Sequence, residues 1–176
     1  MTMKRAKWTD RKFTFDFPEG WLYDIIERLR GTEIRIIYMI NSISEAECEF
    51  KPNGEWSIKE HIGHLSDLED LHEGRIDDFL ERKEELRAAD MKNTKTNEAN
   101  HNSRTNEELL SDFFVKRKQF IDRLEALDDA THAFKAMHPR LQTLMRPVDV
   151  AFFTAEHDDH HLADMRAIVN QLRSKN

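Results

Sequence analysis

Glu156-His157-Asp158-Asp159-His160-His161-Leu162 lies inside an uninterrupted helical period running from 149 to about 172, with no proline or glycine to break it. His157 and His161 are four residues apart, so they stack one turn above the other on a single face. The apolar stripe of the same helix (Val150, Phe153, Met165, Ile168, Leu172) runs through that face. Both imidazoles therefore point inward, where a polar ring requires a hydrogen-bond partner or a metal ion. Two imidazoles at this spacing are also what one helix offers to a single ion.

The remaining chain supplies what this helix packs on. Apolar positions recur at helical spacing from Trp21 to about Ile43 and define helix one. Helix two opens at Ser57 with Glu60 three residues on, a capping-box pattern, and continues to about Arg87 on Ile58, Ile62, Leu65, Leu68, Ile76 and Phe79. Helix three spans about 106 to 127 on Leu109, Leu110, Phe113, Phe120, Ile121 and Leu124. Between helices two and three, 88 to 104 turns polar and rich in asparagine. This segment is expected to be a loop, one that can cover the open face of a site. No strand pair is evident. The expected fold is all-α, an antiparallel four-helix bundle. Residues 1–17, with Phe13, Phe15 and Phe17 alternating, form an expected arm, and 18–176 the bundle domain.

Composition narrows the function. The chain has 176 residues, enough for one well-buried core, and a net charge of −7. That charge, with no basic run interleaved with aromatics, argues against nucleic-acid binding. Neither a signal-like apolar stretch nor a run long enough to span a bilayer is present, so a cytoplasmic protein with no membrane partner is expected. The single cysteine, Cys48, lies among glutamates that disfavour its thiolate, which makes it a poor nucleophile. Phosphate-binding glycine loops, G-x-S-x-G elbows and H-E-x-x-H motifs are absent.

A metal held by three nitrogens keeps one coordination position open for water or substrate. Helix four gives His157 and His161, and helix two carries His61, His64 and His72 as possible third ligands. Periodicity alone does not choose among them. His160 falls at the edge of the stripe, and Asp164 lies one turn beyond the pair. With Glu60, these are the nearest candidate bases, and no general base stands out.

Two motifs taken together resemble the DinB/YfiT-like superfamily. Trp56-Ser57-Ile58-Lys59-Glu60-His61-Ile62-Gly63-His64-Leu65 is similar to its W-[ST]-x-x-[EQ]-x-x-x-H-L signature. The 156–162 stretch is similar to its H-x-x-x-H signature. The resemblance implies a four-helix bundle with a three-histidine site for zinc or nickel, and it makes His64, His157 and His161 the metal ligands. It leaves His61 to packing or to a supporting contact. It further implies a metal-dependent hydrolase of a small-molecule substrate or a transferase using a low-molecular-weight thiol. A non-catalytic metal- or ligand-binding bundle is the rival reading. Family members often form homodimers. For the thiol's carboxylates, Arg28, Arg35 and Arg75 are the available cations.

Overall fold

The computed structural model describes residues 5–174. Four long helices make the body: α1 (Leu22–Ile40), α2 (Ile58–Leu80), α4 (Asn106–Glu125) and α6 (Pro147–Arg173). Two short ones, α3 (Thr94–Glu98) and α5 (Asp129–His132), lie in the connections. The start of α2 is fixed as its sequence predicts. Ser57 accepts a hydrogen bond from the Glu60 amide, and Glu60 returns one to Ser57. Thr105 and Glu108 repeat the device on α4.

Core packing sets the helix directions. Leu22, Ile25 and Leu29, early in α1, cluster with Val148, Ala151 and Ala155, early in α6, and with Ile76, Phe120 and Leu124, late in α2 and α4. At the opposite end Ile36, Met39 and Ile40 meet Met165, Ile168 and Val169, together with Ile58, Ile62, Leu109 and Phe113. Hence α1 and α6 run one way, α2 and α4 the other. The expected four-helix bundle forms, antiparallel between these two pairs and parallel within each. A parallel pair cannot be joined by a tight turn. The link from α2 to α4 must climb back along the roughly 35 Å length of α2, and residues 81–105 do so.

α2 ends at Leu80, short of the expected 87. Arg82 takes a left-handed backbone (φ 56°), after which the chain extends and pairs with a hairpin. That hairpin corrects the expectation of no strands. β1 (Ala136–His138) pairs antiparallel with β2 (Thr143–Met145), and Glu85 bridges to Met137. Leu86, Ala136 and Met145 are buried with Phe79, Val150 and Phe153 as a third core cluster. Three-residue strands carry too little alternation to be recognised by period. Cys48 is wholly buried, and burial raises its thiol pKa.

The first four residues of the expected arm lie outside the described residues. From residue 5 the chain lies against α6. Phe17 stacks on Trp21, Phe13 packs edge-on against Phe153, and Trp8 sits 5.0 Å from the Phe153 ring.

At mid-height all four helices meet in one charge network. Arg117 of α4 bonds Glu69 of α2 (2.9 and 2.6 Å) and Asp158 of α6 (2.5 and 3.1 Å), and Thr32 of α1 donates to Asp158 at 2.8 Å. All four residues are buried. Burial pushes the Glu69 carboxyl up, but Arg117 and His72 outweigh it and hold it at about 2. Removing one partner of such a network strands a charge in the core, at about 3–5 kcal/mol. Arg117→Met should therefore lower the urea-unfolding free energy at pH 7 by about that much. A loss under about 1 kcal/mol would mean that the network is idle, like a surface pair. Glu69 binds its proton less readily folded than unfolded. Its contribution is thus complete above the unfolded carboxylate pKa of about 4.3, and it fades as pH falls toward about 2.

Candidate metal centre

α2 and α6 run antiparallel, which brings His64 opposite His157 and His161. One ring nitrogen from each lies within 4.8 Å of the others. The Nε2 atoms of His157 and His161 face each other at 3.1 Å. Two nitrogens on one tetrahedral ion, each 2.0–2.1 Å from it, lie about 3.3 Å apart. The helix spacing thus already sets a ligand–ligand edge.

His64 is oriented by a relay from the crossover. The Thr96 hydroxyl donates to Asp67 (2.9 Å), so it can only accept from His64 Nδ1 (3.0 Å). His64 therefore carries its proton on Nδ1, leaving the Nε2 lone pair available to an ion. His101 closes the relay on Asp67 through Nε2 at 2.9 Å. Gly63 permits this approach, because a Cβ there would stand 2.3 Å from the His101 ring. Residues 88–104 thus reach the site, as their polarity suggested.

His61 does not join the three. Its Nδ1 meets Nδ1 of His161 at 2.8 Å. With Nε2 of His161 turned to His157, this contact sets the His161 tautomer from the far side, the service a carboxylate or carbonyl usually gives a ligating histidine. His61, His161 and Asp164 form a second candidate cluster. Asp164, however, is paired with Arg5, and a neutral His161 has a single lone pair to give. The first cluster is the better metal site. Trp56 is wedged among the rings, 4.7 Å from His64 and 6.0 Å from His161, the latter nearly parallel, which accounts for an aromatic at that position.

Burial lowers the pKa of each ring. His61 falls to about 4 and His64 to about 3, with His157 and His161 also well below the usual value. All stay neutral at pH 7, the form in which imidazole binds metal. The other predicted residues sit elsewhere. Glu60 is held in its helix cap and by Lys51, His160 lies at the rim with Nδ1 2.7 Å from Arg5, and His72 is buried against Phe120. Arg28 and Arg35 bind Asp159 on the outer face of α6. The three ligand candidates line a cavity of about 510 Å³ with Trp8, Trp56, Arg75, Met91 and Phe153. Two further buried histidines, His101 and His138, were not foreseen. Each lies in a connection, where no helical period marks an inward face.

The unfolded chain takes up protons at these histidines near pH 6.5 while the folded ion-free chain does not. Its stability should therefore fall as pH drops from 7 to 5. Urea titrations at several pH values check this, and His157→Gln should flatten the slope by about one proton. A profile flat over that interval would contradict the burial of the rings.

The comparisons with known proteins agree with this fold. No curated protein matches the sequence. Among solved structures the chain is similar to YfiT from Bacillus subtilis, described as a probable metal-dependent hydrolase with an unusual four-helix bundle topology. The TM-score is 0.72 at 15% identity, over 92% of this chain and 93% of that one. The family model of the DinB superfamily matches residues 28–165, which reach into all four long helices and include both histidine motifs, and the chain belongs to that superfamily.

Proposed function

We propose that this chain is a metal-dependent hydrolase of a small molecule, with His64, His157 and His161 holding one divalent ion, zinc or nickel. The observation that carries the reading is the set of three neutral nitrogens gathered on the wall of one cavity, two of them already at ligand–ligand distance. These three residues would hold the ion and leave it able to take a water or substrate atom from the cavity. An ion held there would lower the pKa of a water molecule and polarise a scissile carbonyl.

The protein's own groups do the rest. Trp8, Trp56 and Phe153 give the cavity an apolar wall. Thr96 and His61 hold two ligand rings in orientation. None of the three candidate bases is a free base on the cavity wall, where only His160 among them stands. Glu60 serves its helix cap, Asp164 pairs with Arg5, and His160 Nδ1 accepts from Arg5. A second reading, transfer to a low-molecular-weight thiol held as thiolate, draws support from Arg75 and Arg140 on the same cavity wall.

Protein purified without a histidine tag should contain about one ion per chain, and His64→Ala and His157→Ala should each abolish it. His61→Ala should keep the ion with an affinity about 10–100-fold lower. Esterase and amidase panels on the loaded and chelated forms then separate hydrolase from carrier. Failure to take up any ion would refute the reading.

A further inference from the structure

The cavity has a second chemistry away from the histidine triad. We propose that Arg75, His138 and Arg140 form an oxyanion subsite that seats a carboxylate or phosphate group of the substrate while its reacting group lies at His64, His157 and His161. The reacting-group half rests on the hydrolase reading above; the anion-binding half does not.

All three residues line the cavity, and His138 and Arg140 each bury a donor that has no partner. His138 is 2% exposed. Its Nδ1 accepts from the amides of Arg140 (3.3 Å) and Leu141 (3.2 Å), so the proton sits on Nε2, which is buried with no partner. Arg140 lies over the Phe153 ring, makes no ion pair among the described residues, and has a buried Nη2 that bonds nothing. Arg75 is 3% exposed and spends two donors on one backbone carbonyl, that of Arg87, at 3.3 Å each. The carboxylate that acts on it, Asp78, is already engaged by Arg87 and Lys83. Asp90 also lines the cavity, but it accepts from the amides of Lys92 (2.9 Å) and Thr94 (2.7 Å).

Burial pulls Arg75 down to about 10, partly offset by Asp78 and reinforced by Arg140 and Arg87. Burial, then Arg75 and Arg140, take His138 to about 4. Two cations that repel one another in a low-dielectric wall are costly unless an anion joins them. The group that satisfies only donors is an oxyanion, and a guanidinium pair suits its geometry. A cavity of about 510 Å³ makes the substrate class a small organic acid or phosphate ester.

The test is calorimetric titration of the full-length chain with inorganic phosphate and, separately, acetate, at constant ionic strength, in ion-free and metal-loaded forms. Saturable binding of one of the two probes, one per chain, is expected in the ion-free protein and in His157→Ala. Arg140→Gln should weaken it by about tenfold or more, and Arg140→Lys by less. Arg30→Gln, on the exposed pair with Glu125, should leave it unchanged. Preference for phosphate assigns phosphate esters, preference for acetate carboxylic acids. Arg140→Gln should melt no lower than the parent, because it removes a cation that bonds no carboxylate. Absence of saturable binding, or binding that survives Arg140→Gln, overturns the proposal, including binding seen only with metal present. Anion binding in a parent chain that takes up no ion would keep this subsite and overturn the hydrolase reading alone.

Discussion

Arg117, buried between Glu69 and Asp158 with Thr32 alongside, is the constraint on which the bundle turns. It takes one residue from each long helix, and its donors leave little tolerance for a helix that slides or rotates. A greasy interface can shift by a turn at small cost, whereas a buried guanidinium cannot shift without leaving a charge unpaired. Asp158 immediately follows His157 in α6. Pinning Asp158 toward α1 and α4 therefore aims His157 and His161 at α2, where His64 stands.

Topology and site are coupled through the crossover. Because α2 and α4 run parallel, 81–105 must return the length of the bundle, and on the way it passes the histidines. It delivers Thr96 and His101 to the Asp67 relay, and Ala88, Met91 and Asn93 to the cavity wall. An up-down bundle with tight turns would have left His64 without the partner that fixes its proton. The hairpin does the same at the other end of the cavity, where β1 and the turn after it carry His138 and Arg140.

Much of this was legible in the chain. Apolar spacing marks four helices, Ser57 and Glu60 mark a start, and His157 and His161 declare an inward pair by their separation and by the apolar stripe through their face. Period does not settle the third candidate ligand, since His61, His64 and His72 are all buried on α2. Only their facing partners across the bundle distinguish them. The charge network was hidden for the same reason. Nothing near Glu69 or Arg117 in the sequence marks them as buried, because the residues that close over them are distant in the chain. Arg28 and Arg35 were offered as cavity cations and lie outside, whereas Arg140, on a short connection with no period, lies within.

The central claim is that one ion sits on the Nε2 side of His161, between His157 and His64. The most direct measurement is anomalous diffraction from crystals of the full-length protein grown with zinc or nickel. The account predicts a single strong peak about 2.0–2.1 Å from a nitrogen of each of those three rings. A peak on the Nδ1 side instead, between His61 and Asp164, or none at all, would contradict it.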